Sequence, residues 1–415
     1  MGNRESLHTV DQQGHDPQTL EVRRAKAGEM VNFHGYRRPD GKAGTRNRVL
    51  VIPSVGCSQG AAQAIARGFK DVVYLPNVFG CGQVGEDRSL VRKTLVGFGI
   101  NPNISAVLIV GNGCEQLSPG EIAKDIAPTG KRVEVIVIQE IGGTKKTVAL
   151  GRRRVKEMVQ EASRLPREPI PLSALILGTE CGGSDYTSGL ASNPAVGTAC
   201  DMLVAEGGTV ILSETPELIG AEHLLARRAR TPEIARQVLD AVAWWENEAM
   251  AGGQNIRDSN PAPGNIAGGI TTLEEKSLGC IYKGGTAPLE EVISYASPPE
   301  KKGLVFMDTP AHDIEQLTGM VAGGAQIVVF TTGRGTPVGS PAAPVIKITG
   351  NRSTYLKMKE NMDMDVSKIL QGKERVTEAG KRIFEEVISV ASGKMTKAEK
   401  LGQRDFCLFK MNINI

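Results

Sequence analysis

Cysteine carries the most chemical potential in this 415-residue chain, and four of the seven cysteines share one placement. Cys57 lies five residues beyond the apolar run ending at Ile52, Cys81 six beyond Leu75, Cys114 four beyond Val110 and Cys181 four beyond Leu177. If those runs are parallel strands, the loops that follow them meet along one carboxyl edge, where open α/β sheets bind ligands. A structural cysteine belongs instead inside a strand or on the apolar face of a helix. Cys200, which shares a helical face with Val196 and Leu203, fits that description, whereas the sequence leaves Cys280 and Cys407 open between the two. Glycines 56, 80, 82, 113, 182 and 183 flank the loop cysteines and permit close approach of backbone to an anion or sulfide. With no CxxC pair, a zinc ribbon has little support. Dispersed thiolates suit iron, or an iron–sulfur cluster assembled from separate loops.

Other loops set charge beside glycine or proline. They are Glu180-Cys-Gly-Gly-Ser-Asp185, Ser213-Glu-Thr-Pro-Glu217 followed by Gly220-Ala-Glu-His223, Thr271-Thr-Leu-Glu-Glu-Lys276, Met307-Asp-Thr-Pro310 and Thr331-Thr-Gly-Arg-Gly335. Each alone could be a capped turn. Glu214, Asp308 and Arg334 nevertheless follow strand-like runs closely, so they should reach the same kind of sheet edge as the cysteines.

The elements that must position these groups read as α/β. Val49 to Ile52, Val72 to Leu75, Ala106 to Val110 and Val135 to Ile138 are β-branched, nearly continuous runs, as in parallel strands covered on both faces. Gly85 to Val96 and Lys145 to Ala162 have helical spacing between them. Three prolines in Arg164 to Pro171 mark a boundary. A second unit opens with the strand-like Ala174 to Leu177, passes a helix near Ala195 to Ala205, and returns through Thr209 to Leu212 to a helix from Pro232 to Met250. The Gly/Asn/Pro-rich stretch from Gly252 to Gly269 is too long for a plain connector and reads as functional. A third unit carries runs at Leu304 to Met307, Ile327 to Phe330 and Val345 to Ile348. The expectation is a multi-domain α/β protein of mainly parallel sheets, with helices on both faces and long glycine-rich loops. Its parts are a polar tail (1–33), a first α/β domain (34–165), a second with the long loop (172–300) and a C-terminal Rossmann-like domain (303–415).

Composition excludes several function classes. Hydrophobic residues make up 40% and charged residues 23%, which argues against wholesale disorder. No apolar stretch approaches the ~18 residues that span a bilayer, and the N-terminal segment lacks the apolar region of a signal peptide. A cytoplasmic setting with reduced thiols is expected. A net charge of +3 and few aromatic residues speak against nucleic acid as a partner. Arg152 to Arg154 and Arg227, Arg228 and Arg230 read as solvated helix faces. Gly80-Cys-Gly-Gln-Val-Gly85 matches the dinucleotide fingerprint, but Glu86 and Asp87 would stand where a pyrophosphate binds. No acidic residue ends a strand ~20 positions on, so nicotinamide binding is disfavoured.

At its loop motifs the chain resembles the altronate and galactarate dehydratase family of sugar-acid hydro-lyases. The resemblance is carried by Gly35-Tyr-Arg-Arg-Pro-Asp-Gly-Lys-Ala-Gly-Thr-Arg-Asn47, by Gly178-Thr-Glu-Cys-Gly-Gly-Ser-Asp185 with Ser192-Asn-Pro194, and by Ser213 to His223. Gly264 to Gly279 and Phe330-Thr-Thr-Gly-Arg-Gly-Thr336 complete it, and it covers roughly residues 34 to 415. The resemblance implies iron dependence, as Fe2+ or an iron–sulfur cluster, and a sugar acid as substrate. Many members carry a small N-terminal domain ahead of this region, where here only about 33 polar residues stand. That implies a large subunit working with a separate small subunit, in an oligomer. The related large subunit of sulfolactate sulfo-lyase, which releases sulfite, has thinner cysteine motifs than those at Cys81 and Cys114. Water elimination to a 2-keto-3-deoxy acid is therefore the leading expectation, with sulfite release and a non-catalytic partner subunit as alternatives.

Such a dehydration must remove a weakly acidic proton beside a carboxylate and expel hydroxide, steps served by a Lewis acid and a positioned base. From their placement, Cys81, Cys114 and Cys181 are the expected iron ligands, with Cys57 in reserve. Glu180, Glu214, His223 and Lys276 are the candidate acid–base residues, although each alone could be an ordinary paired side chain. Asp185, Asn265 and Arg334 are expected to bind substrate, Arg334 because guanidinium can pair a carboxylate bidentately.

Overall fold

The computed structural model describes residues 31–415, so nearly all of the expected tail lies outside the described residues. Strand β1 (Asn32–Arg37) pairs antiparallel with β2 (Ala43–Gly44) and with β7 (Glu168–Pro171). A second, wholly parallel sheet contains β3 (Arg48–Pro53), β4 (Val72–Tyr74), β5 (Ile104–Gly111) and β6 (Arg132–Val137), in the order β4-β3-β5-β6. The third sheet is also parallel and has seven strands. These are β8 (Ile176–Cys181), β9 (Thr209–Leu212), β10 (Leu289–Ile293), β11 (Gly303–Met307), β12 (Ile327–Thr331), β13 (Val345–Thr349) and β14 (Met364–Asp365), in the order β10-β11-β9-β8-β12-β13-β14.

The strand alternation explains the layering. Along β3, Val49 and Val51 enter a core with Ile65, Val155 and Met158 from the helices Gln59–Ala66 and Thr144–Ala162, whereas Leu50 and Ile52 enter the opposite one. That opposite core also takes Ile211, Val305, Val328 and Phe330 from the seven-stranded sheet. Helices Asp87–Ile100 and Asp313–Ala322 therefore form a layer shared by both sheets, close enough that Gly97 stands against the Ala322 carbonyl. The outer face of the large sheet packs on Asn193–Ala205 and Val376–Ala391, and Cys200 is buried there, on the face its spacing predicts.

The seven-stranded sheet takes strands from both the segment expected as a second domain (172–300) and the one expected as a third (303–415). Strands from both segments interleave, β11 pairing with β9 and β12 with β8, so one hydrogen-bonded sheet spans them. A boundary at residues 300–303 would leave each half with open inner edges, and pairing across it removes them. The strand expected at Ala174 to Leu177 in fact runs on through Cys181. Its polar residues Thr179 and Glu180 pair in register with Val329 and Phe330. Hydrophobicity ends at Leu177, but the parallel ladder does not.

Candidate active site

Several strands of the large sheet end at one point. Cys181 is the last residue of β8, Glu214 follows β9 by two residues, and the loop after β12 holds Thr332 to Arg334. Glu214 adopts φ 72°, a left-handed conformation that non-glycine residues avoid. Its backbone is held there by hydrogen bonds from Glu214 N to Thr309 Oγ1 at 2.9 Å and from Thr215 N to the Thr309 carbonyl at 3.1 Å. The Thr215 hydroxyl adds a bond to Asp308 at 2.6 Å. The Asp308 expected at the edge thus braces Glu214.

Around Glu214 lies a buried charge cluster. The ligand atoms of Cys181, Glu214, Glu217 and Cys280 all fall within 4.8 Å of one another, a spacing at which they could hold a metal ion. The fully buried Lys283 reaches into this group. Its ammonium pairs with Glu214 Oε2 and donates to the Cys280 sulfur at 2.6 Å and to the Cys181 sulfur at 3.5 Å. Next to it, Lys276 pairs with Glu217 at 2.5 Å and with Asn260 at 2.9 Å. The donor set suits a soft or borderline cation, and Glu214 Oε1 and Glu217 Oε2 have no hydrogen-bond partner among the described residues. An internal ammonium nevertheless already contacts three of the four donors.

Burial and proximity divide the protonation states. The Cys181 thiol is lowered to about 6, by the hydrogen bond from Cys280 and by the Lys283 ammonium, against the effect of burial. Burial opposes the charge on Lys283, but Cys181, Cys280 and Glu214 outweigh it and hold the ammonium protonated. Glu180 lies inside β8 with neither carboxyl oxygen hydrogen-bonded among the described residues. Burial first, then Glu214 and Asp313, push its pKa well upward. Asp313 is raised to about 6 by burial and by Glu217. Its carboxyl packs against Gly182, where any Cβ would come within 2.3 Å of it. The protonated Glu180 carboxyl thus stands beside a thiolate and two ammonium groups, so proton donors and acceptors coexist within one buried site.

The site opens outward. A cleft of about 240 Å³ is lined by Cys181, Lys276, Ser184, Asp185, Tyr186 and Asn193, among others. Asp185 and Tyr186 also line an adjoining cleft of about 500 Å³, whose wall carries Arg334, Asn351, Ser353 and Lys357. Arg334 is exposed and makes no ion pair among the described residues.

The structure therefore gathers Glu180, Glu214, Lys276 and Cys181 of the sequence-derived candidates. Arg334 stands on the cleft wall. Asp185 and Asn265 are buried and already engaged. Asp185 accepts from the Thr187 amide at 2.8 Å and hydroxyl at 2.6 Å and from Asn351 at 2.8 Å. Asn265 accepts from Ala262 N and donates to the Ser184 carbonyl, both at 2.9 Å, which latches the Gly252–Gly269 stretch onto the Cys181 loop. His223 lies exposed on the short helix Glu222–Ala226, outside the charge cluster. Cys57, Cys81 and Cys114 are exposed at the edge of the four-stranded sheet, and the cluster around Cys181 does not include them. The residues missed were Lys283, Cys280, Glu217 and Asp313. The Cys280-x-x-Lys283 and Glu214-x-x-Glu217 spacings were their only sequence signal, since positions three apart in a helical turn share a side.

A parallel α/β sheet whose carboxyl edge carries buried acids, a thiolate and ammonium groups beneath a polar cleft defines an enzyme site for proton transfer. Comparison with known proteins refines that class. Residues 35–163 match the second domain of D-galactarate dehydratase/altronate hydrolase, and residues 172–414 match the C-terminal domain of D-galactarate/altronate dehydratase. The chain is 40% identical over 383 residues to the (2R)-sulfolactate sulfo-lyase subunit beta of Chromohalobacter salexigens, an alignment covering 91% of this chain and 97% of that one. It is 33% identical over 401 residues to the altronate dehydratase of Bacillus subtilis (94% and 80% covered). With the galactarate dehydratase (L-threo-forming) of Escherichia coli the identity is 35% over 387 residues (88% and 74% covered). The chain belongs to the galactarate/altronate dehydratase family, and these relatives are lyases.

Proposed function

We propose that this chain is the catalytic large subunit of a lyase that takes the C2 proton from a 2-hydroxy acid and expels a group from C3, with hydroxide from a sugar acid as the main reading. The observation that carries it is the continuity of the two clefts, which sets Cys181 and Lys276 at one end and Arg334 with Lys357 at the other. Arg334 pairs the substrate carboxylate in this reading, lowering the cost of charge that develops when the neighbouring C2–H bond breaks. The Cys181 thiolate supplies acceptor capacity for that proton, and Lys276, kept as an ammonium by Glu217, adds positive charge beside the developing enolate. Glu180, held protonated by burial, supplies the proton that accompanies a departing hydroxyl. The enol product then ketonises.

Iron dependence is part of the proposal: when bound, iron supplies a Lewis acid toward hydroxyl and carboxylate oxygens. A cytoplasmic setting keeps the thiols reduced. The relative named as a subunit beta supports a separate partner subunit. A second reading, sulfite release from sulfolactate, is favoured by the 40% identity to a sulfo-lyase subunit. Its first half, C2 deprotonation beside a carboxylate, is the same.

The test is to incubate the anaerobically purified chain, alone and with candidate small subunits, with altronate, galactarate and (2R)-sulfolactate in D2O. Keto acid without sulfite from a sugar acid is the expected result. Sulfite from sulfolactate alone would establish the second reading, and no C2 exchange with any of the three would overturn both.

A further inference from the structure

Cysteine is among the most buried residue types, yet Cys57, Cys81 and Cys114 are all exposed. They occupy the loops after three neighbouring parallel strands, β3, β4 and β5, so they share one carboxyl edge. Those loops are locked together. Gly56 N donates to the Phe79 carbonyl at 2.9 Å and Leu117 N to the Gly80 carbonyl at 3.0 Å. The Glu115 carboxylate accepts from the Ser54 hydroxyl at 2.6 Å, and from Asn112 N at 3.0 Å and Gly113 N at 2.6 Å. Gly80, at φ 102°, packs so closely that a Cβ would stand 2.2 Å from the Ser54 carbonyl oxygen. A side chain there would push the Cys81 loop away from the Cys57 loop. Hydrogen bonding and glycine backbone thus bring three thiols to one rim without burying any of them.

We propose that Cys57, Cys81 and Cys114 together hold an iron–sulfur cluster. The spacing of donors discriminates between the metal classes. Ligands of a single zinc or iron ion crowd within a few ångströms of one another, and among the described residues the group that does so is the one around Cys181, without these three. A cluster spreads its thiolates, one to each iron. In the buried group, by contrast, Lys283 already serves as the cation and has no exposure through which to withdraw. The two groups therefore divide the work: acid–base chemistry beneath the large sheet's edge, and metal at the edge of the small one. Three thiolates leave one iron of a four-iron cluster without a cysteine ligand. This deepens the lyase reading by naming the residues for its iron, and it moves Cys181 out of the ligand set.

Iron and acid-labile sulfide are to be measured on the full chain, purified anaerobically and reconstituted with ferrous iron and sulfide. Optical and electron paramagnetic resonance spectra are recorded alongside, with circular dichroism as the folding check. The parent protein should bind about four iron and four sulfide per chain. Cys57→Ser, Cys81→Ser and Cys114→Ser should each lose most of the sulfide and the paramagnetic signal while remaining folded, and Cys181→Ser should keep both. Sulfide retained in all three loop variants, sulfide lost only from Cys181→Ser, or a single zinc or iron bound without sulfide would each overturn the proposal. Turnover is read separately. A loaded cluster with no C2 exchange would support this site and sink the lyase reading, whereas exchange by a sulfide-free chain would do the reverse.

Discussion

Lys283 is the residue on which the candidate active site balances. A buried ammonium is costly unless paired, and this one is paired with a carboxylate and two sulfurs. Removing one member of such a group leaves the rest uncompensated, which typically costs about 3–5 kcal/mol. Lys283→Met should therefore lower unfolding stability by about that amount in urea titrations at neutral pH, and Lys283→Met combined with Glu214→Gln should recover more than half of the loss. A loss below about 1 kcal/mol in the single variant would mean that the ammonium is not the counter-charge of the cluster. Sequence made Glu180, Glu214 and Lys276 visible because they stand in polar loop motifs rich in glycine and proline. Lys283, between Tyr282 and Gly284, has the local character of a surface lysine. Only a fold that tucks the turn Tyr282–Gly284 beneath the sheet edge buries it. Asp185 and Asn265 show the opposite failure: their loop setting was legible, but the close-range bonds from Thr187 and Ala262 and the distant ones with Asn351 and Ser184 that consume their hydrogen-bonding groups were not.

At the scale of elements, the turn that carries Lys283 is positioned by a helix with a glycine in the right place. Gly197, within Asn193–Ala205, stands so close to the turn that a Cβ would lie 2.1 Å from the Tyr282 carbonyl oxygen and 3.1 Å from Gly285. Asp201, one turn further along the same helix, accepts from Thr286 N at 2.7 Å and Ala287 N at 3.0 Å, fixing the turn's exit. Gly197→Ala must therefore displace either the helix or the lysine. We expect a loss of about 1–3 kcal/mol, from overpacking, with a fall in keto-acid release larger than the stability loss explains. Gly60→Ala is the control, because a Cβ there meets nothing within 4 Å and the position is helical. That variant should gain up to about 1 kcal/mol. Equal behaviour of the two in thermal unfolding would refute the packing argument. Strand and helix positions were largely readable from sequence: Thr209–Leu212 matches its apolar run residue for residue, and Pro232–Ala251 differs from expectation at its end only. The continuation of β8 through Glu180 was not, because a polar residue that pairs with β12 in a buried ladder carries no hydrophobic signal of its own.

Over the whole molecule, the segments around β3 and β4 meet the C-terminal residues. Arg46 and Arg48, at the entry to β3, pair with Glu399 near the C-terminus, at 2.7 and 2.8 Å, and all three side chains are largely buried. Arg46 also donates to the Val390 and Lys394 carbonyls at 2.9 and 2.8 Å, so one guanidinium ties the first sheet to the final helices. Beyond it, Arg404 reaches the Val72 carbonyl at 3.0 Å and Ile415 N reaches Gly82 at 2.7 Å, beside Cys81. These contacts join segments more than 300 residues apart, which no local pattern in the sequence announces. Burial works against the charged form of Glu399, but the two arginines and the Thr396 amide prevail and hold its carboxyl at about 2, below the ordinary 4.5. The sign follows from linkage. A carboxylate depressed in the folded state adds stability that is complete above its unfolded pKa and is lost as pH falls through the folded one. Here that window runs from about 4.5 down to about 2, and the stability at stake is about 3 kcal/mol. Glu399→Gln should remove that contribution at pH 7 and shrink the difference from the parent progressively below pH ~4.5, as the parent's own carboxyl protonates. Urea unfolding at a series of pH values measures this directly; a difference that stays constant down to pH ~2 would show that Glu399 joins the two segments through packing, not through charge.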